Sequence, residues 1–213
     1  MGLMNWIRQK LGTVAPQSTS AGALVATPLT QLAEAPMPAR PGDWKALSDA
    51  LAQILMPEQM DRLGAEVQLA LIQSDQYFSR FANDLTQRGI DSPQEVSAWL
   101  ALVDGLQRRE QNVELDWRLD LDELISSLSQ LRTVKELGLV FDDLMADDAA
   151  SEMAGEDALG KAAIWLRSKG LALVCMDIDS DSYPLMLLPL ERVDAIKVLA
   201  ERVGQKLMQF DVA

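Results

Sequence analysis

Apolar residues return along this chain at two different intervals, and the change of interval divides it. From Asp43 the interval is helical: Trp44, Leu47, Leu51, Ile54 and Leu55 form one stripe, and beyond Pro57 Met60, Leu63, Val67 and Leu71 form another. Two amphipathic helices are expected. Tyr77, Phe78, Phe81 and Leu85 carry the same spacing to Gly89, a helix stop. Ser92-Pro93-Gln94-Glu95 then supplies an N-cap, a first-turn proline and a capping-box glutamate ahead of Val96, Trp99, Leu100, Val103 and Leu106. The spacing predicts a helix opening at Ser92. Val113 to Arg118 is short and extended in character, and Leu121, Leu124, Ile125, Leu128 and Leu131 resume a helix with Asp120 as its cap. A further helix is expected over Ala158 to Lys169, ended by Gly170.

The interval then becomes that of strands. Leu171 to Ile178 is a continuous apolar run, Asp179-Ser180-Asp181-Ser182 is turn chemistry, and Tyr183 to Leu188 is a second run, which together read as a β-hairpin. Pro184 and Pro189 cannot donate ladder hydrogen bonds, so they are expected at strand ends or on an edge. Leu190, Val193, Ile196, Leu199 and Val203 predict a helix up to Gly204, and Lys206 to Phe210 a closing strand. The expected fold class is therefore α+β: a helix-rich N-terminal half, then an α-β-β-α-β part with a small antiparallel sheet. No period of repeat length is present.

Before Asp43 neither interval holds. Thr13 to Gly42 is rich in Ala, Pro, Ser and Thr and contains Pro16, Pro28, Pro36, Pro38 and Pro41, the composition of a linker. Leu3, Ile7 and Leu11 recur helically with Arg8 and Lys10 between them. A helix this short is marginal in water, so a frayed end or docked turn is expected; peripheral membrane contact through Leu3 to Leu11 is the alternative. The expected organisation is a leader and flexible linker over 1–42 and a single acidic α+β domain over 43–213.

Charge narrows the partners. The chain of 213 residues has 19 basic and 32 acidic side chains, a formal −13, and Arg8, Lys10, Arg40 and Glu34 are the only charges before Asp43. The acidity thus belongs to the domain. Nucleic-acid binding is not expected, because it needs clustered Lys and Arg to displace phosphate counterions, whereas a basic protein partner fits. Seven acidic residues and no basic one lie between Asp142 and Gly160, as in a mobile acidic loop or a solvated helical turn. Cys175 is the sole cysteine, so no internal disulfide can form and a cytoplasmic location is expected. The opening Met-Gly-Leu-Met-Asn-Trp-Ile-Arg-Gln-Lys lacks the apolar stretch of a secretory signal, and no transmembrane segment is expected.

The absence of histidine removes Ser-His-Asp and Cys-His nucleophile systems and His-containing zinc sites. Cys175, between Val174 and Met176, is expected as a buried packing residue and not a nucleophile. Asp177, Asp179 and Asp181 match the first acidic positions of a calcium loop, but Ser182 replaces its glycine and Leu188 its bidentate glutamate. Asp177-Ile178-Asp179 also imitates the strand motif of haloacid-dehalogenase-like phosphotransferases, yet too little chain follows to complete that fold. No catalytic residue, metal or cofactor is assigned. If residues alternate faces through the hairpin, Asp177, Asp179 and Asp181 project to one side and form an acidic strip for a cation or a basic partner. Trp117 and Arg118 are the other cluster: the indole is expected in the core with Arg118 paired to Asp116 or Asp120, the alternative being recognition of a ligand by indole stacking and bidentate guanidinium bonding.

Gly170-Leu171-Ala172-Leu173, followed by Asp177-Ile178-Asp179-Ser180-Asp181-Ser182-Tyr183-Pro184-Leu185 and accompanied upstream by Leu115-Asp116-Trp117-Arg118, resembles an uncharacterised family of bacterial domain-of-unknown-function proteins. The resemblance runs from Asp43 to Phe210. It implies α+β architecture and a bacterial cytoplasmic source, and brings no catalytic residues.

Two functions are compatible with these residues. The first is a non-enzymatic acidic interaction module, of adaptor or immunity type, facing a basic protein. The second is a small-molecule or divalent-metal-dependent enzyme built on the Asp-rich hairpin. The candidate binding residues are Asp177, Asp179, Asp181, Ser182, Tyr183, Trp117 and Arg118.

Overall fold

The computed structural model describes residues 39–145 and 153–210; the Leu3 to Leu11 segment, most of the expected linker and residues 146–152 of the acidic segment lie outside them. Helix α1, Pro41–Leu55, starts with proline in its first turn, where no backbone N–H is required, and Asp43 accepts from the Arg40 N–H at 3.1 Å. It buries Trp44, Leu47, Leu51 and Leu55 and stops before Pro57. A 3₁₀ turn, Pro57–Gln59, leads into α2, Met60–Ile72.

Two expectations for the next stretch are corrected. The Tyr77 to Leu85 stripe is two short helices, α3 (Ser74–Arg80) and α4 (Ala82–Gln87), because Phe81 departs from helical geometry at φ −117°, ψ 24°. The helix expected at Ser92 starts later. Pro93–Glu95 is an isolated 3₁₀ turn, Val96 is extended, and α5, Ala98–Gln107, is capped by Ser97, whose Oγ accepts from the Leu100 N–H at 3.0 Å. Glu95 accepts from the Asp91 N–H instead of completing a box at Ser92. Both serines are competent caps; starting behind Ser97 lets an almost wholly apolar helix enter the interior.

Strand β1 is Val113–Asp116. Asp120 caps α6, Leu121–Leu128, accepting from the Glu123 N–H at 2.7 Å as expected. Leu131 leaves that stripe and precedes α7, Arg132–Leu137, which Gly138 terminates in the left-handed region. Short α8 is Asp142–Met145, and α9, Gly155–Ser168, begins three residues before the expected Ala158. Strands β2 (Leu171–Met176) and β3 (Ser182–Pro189) form the hairpin; α10 (Val193–Arg202) and β4 (Leu207–Gln209) complete the order.

The sheet runs β1-β3-β2-β4 with every pair antiparallel. Ala172, Val174 and Met176 of β2 and Met186 and Leu188 of β3 pack into one core with α1, α2, α5 and α10. Leu171, Leu173, Cys175, Leu185 and Leu187 face a second core built from α6, α7, α8 and α9. The hairpin is continuously apolar because helices cover both faces of the sheet, and burying each of its Val, Leu and Met side chains contributes roughly 1.5–3 kcal/mol. Pro189 ends β3, and Pro184 lies beyond the last β2 pair, Cys175 with Leu185, so neither proline breaks the central ladder. A small third cluster, Ala70, Tyr77, Leu85 and Ala101, binds α3 and α4 to α2 and α5. Gly105 lets α5 approach α2: a Cβ there would meet Leu63 Cδ1 at 2.7 Å.

Candidate functional site

Register brings the two sequence clusters to one end of the sheet. Asp116 pairs with Ser182, and the Trp117 N–H donates to the Asp181 carbonyl at 3.2 Å, continuing the β1–β3 ladder into the hairpin turn. Trp117 is 48% exposed, which corrects its expected place in the core. Asp116 Oδ1 accepts from the Arg118 N–H at 2.8 Å and folds the chain at this point, so that Leu119 takes the buried position. The Arg118 guanidinium stacks over the Trp117 ring at 4.9 Å from its centroid, in place of the expected ion pair.

The hairpin acids do not form the expected one-sided strip. Strand geometry ends at Met176, and alternation ends with it. Asp177 Oδ1 accepts from the Asp179 N–H at 2.9 Å, and Asp179 adopts φ 56°, a left-handed turn that short polar side chains tolerate. Ser180 and Ser182 exchange a hydroxyl hydrogen bond of 2.8 Å, and Ser182 Oγ donates to Glu114 Oε1 at 2.5 Å. Tyr183 is buried in the second core, edge-on to Phe210 at 6.0 Å, and burial, then Glu156 and Cys175, raise its hydroxyl pKa.

Two clefts flank this end. The first, about 520 Å³, is lined by Glu95, Trp99, Asp177, Asp179 and Lys206 among others, and Asp181 lies outside it. Its wall is pinned where Trp99 Nε1 donates to the Asp177 carbonyl at 2.6 Å. The second, about 580 Å³, lies under the edge strand β1 beside α5. There Arg88 Nε donates to Asp104 Oδ1 at 2.6 Å and Arg88 Nη2 meets Glu114 Oε2 at 2.7 Å. Arg108 pairs with Glu66 at 2.9 Å and Asp84 at 3.3 Å, stacked 4.1 Å over Phe81. Burial opposes the charge on Arg88, but Glu114 and Asp104 outweigh it and hold its pKa up. Burial likewise raises the Asp104 carboxyl, with Arg88 pulling the other way.

Of the candidate binding residues only Ser182 lines this second cleft; Leu115 and Asp116 of the Leu115-to-Arg118 motif join it, and Arg88, Asp104 and Arg108 are members that no sequence motif marks. One local signal was available: Asp104 is the sole charged residue in Ala98–Gln107. A carboxylate in an otherwise apolar helix needs a partner, and here that partner arrives from the chain between α4 and α5.

Cys175 is buried as expected, and burial, then Asp177 and Glu114, push its thiol up to about 12, far from a reactive thiolate. Among the described residues no three His, Cys, Asp or Glu side chains gather closely enough to hold a metal ion. Among them, too, no helix is long and apolar enough to cross a membrane.

Fold and site together define a helix-rich α+β domain whose four-stranded antiparallel sheet carries polar clefts and an exposed indole at one end. Residues 47–211 match the model of a family described as a domain of unknown function, DUF6630, and the chain belongs to that family. No curated protein and no solved structure matches it.

Proposed function

We propose that the chain is a soluble, cytoplasmic, non-enzymatic interaction module of adaptor or immunity type that docks a basic protein at the β1–β3 end of its sheet. The observation that carries the reading is Trp117, half exposed and hydrogen-bonded through its backbone to Asp181. Large amphipathic rings of this kind anchor interfaces, and Asp116 and Asp181 at the same turn outnumber the Arg118 guanidinium stacked on the ring, with Asp179 close by in the hairpin turn. The formal charge of −13 adds long-range steering of a cationic partner. Affinity capture with the full chain, then titration of the captured basic protein, tests it. Trp117→Ala together with Asp179→Asn and Asp181→Asn should weaken binding at least about tenfold, and rising salt should slow association. Undiminished affinity in the triple variant defeats the reading.

A second reading, a small-molecule or divalent-metal-dependent enzyme at the hairpin, is favoured by one observation: Asp177 and Asp179 both line the Trp99 cleft. Calorimetric titration of Mg²⁺, Ca²⁺ and Mn²⁺ into the full chain decides it. Saturable heat lost in Asp177→Asn, Asp179→Asn supports the metal-dependent enzyme, and no heat removes that form of the reading.

A further inference from the structure

The cleft between α5 and the edge strand β1 has a charge pattern that selects its ligand. Its lining carboxylates are Asp84, Asp104, Glu114 and Asp116, and its lining cations are Arg88 and Arg108. Both arginines are already held: Arg88 by Asp104 and Glu114, and Arg108 by Asp84 and by Glu66 from behind. Asp104 is only 4% exposed, yet Arg88 satisfies just one of its oxygens, and Oδ2 has no hydrogen-bond partner. A buried charged acceptor left half-satisfied costs free energy that a bound donor would return.

From this we infer that the cleft binds a compact organic cation, a guanidinium or primary ammonium group whose N–H donors reach Asp104 and whose charge the surplus carboxylates balance. An anion is disfavoured, since it would face four carboxylates with both arginines already neutralised. The volume of about 580 Å³ accommodates such a group together with a short aliphatic stem. Gln107, which accepts from Arg88 at 3.1 Å, and Ser182, bound to Glu114, fix the surrounding side chains, so that binding requires Asp104 to turn its buried free oxygen toward the cleft. The cation can be a free small molecule or the side chain of a protein, and the inference stands independently of the partner proposed for Trp117.

Calorimetric titration of agmatine into the full chain, with inorganic phosphate as counter-probe, tests it. Agmatine should bind saturably, phosphate should not, and Asp104→Asn should weaken agmatine at least tenfold. Asp84→Asn, on the exposed rim where folding is not at stake, should weaken it severalfold. A blocked Gly-Arg-Gly peptide separates the two sources: tighter binding than agmatine assigns the site to a protein side chain, weaker binding to a free cation, and either supports the cleft. No agmatine heat, binding of phosphate in its place, or agmatine affinity unchanged in Asp84→Asn and in folded Asp104→Asn overturns the assignment. Retained partner capture with agmatine binding lost would leave the Trp117 reading standing alone.

Discussion

Trp99 on α5 donates its indole N–H to the main-chain carbonyl of Asp177 at 2.6 Å, tying the helical half of the chain to the turn that follows β2. The ring itself is buried in the first core, so packing and hydrogen bond can be separated by substitution. Trp99→Phe keeps most of the packing and should cost about 1–2 kcal/mol, while Trp99→Ala should cost about 3–5 kcal/mol by urea denaturation. Amide exchange at Asp179 and Asp181 should accelerate in the Phe variant, because that turn loses its tether.

Arg88 is the shared counter-charge of Asp104 and Glu114. Arg88→Met strands two largely buried carboxylates and should destabilise the chain by about 3–5 kcal/mol near neutral pH. The sign with pH is fixed by Asp104, whose pKa burial already raises and which rises further without Arg88. An acid held above its unfolded value costs stability once the unfolded chain can ionise, so the deficit should shrink as pH falls from about 7 toward about 4. Denaturation midpoints of wild type and variant across that range measure it; a deficit independent of pH would contradict the assignment.

Cys175 gives the opposite end of the pH scale. Its thiol is pushed up to about 12 in the folded chain, against about 8.5 in an unfolded one. Below the unfolded value both states are protonated and the group contributes nothing to the slope. Above it the unfolded chain ionises first, and stability should fall with pH at up to about 1.4 kcal/mol per unit. Cys175→Ala should lower stability at pH near 8 through lost packing but flatten the alkaline decline in a urea series.

Asp179 holds φ 56° in the hairpin turn. Asp179→Gly should leave stability within about 0.5 kcal/mol, whereas Asp179→Val places a β-branched residue where it clashes and should lose about 1–2 kcal/mol. Thermal unfolding of the two variants separates backbone strain from loss of charge, since both remove the carboxylate.

Where hydrophobic period, caps and breakers act within a few residues, sequence and structure agree. The stripe from Trp44 to Leu55, the Asp120 cap and the hairpin with its Asp and Ser turn all belong to this kind. Disagreement arises where two local signals compete or where a side chain's surroundings come from elsewhere. Ser92 and Ser97 can both cap a helix, and the packing of α5 chooses between them. The indole of Trp117 is apolar enough for a core, but the turn set by Asp116 gives the buried place to Leu119.

The sequence by itself determined the α+β class, the hairpin with the helix and strand that follow it, the acidity of the chain from Asp43 onward and the inert, buried role of Cys175, because each follows from residue type and near-neighbour spacing. Only the tertiary structure decided that β1 joins β3, that the hairpin is covered on both faces, and that Arg88, Asp104, Glu114 and Ser182 converge in one cleft. Strand pairing and ion pairing act between residues far apart in the chain, so their partners are selected by the folded arrangement and leave no periodic trace in the sequence.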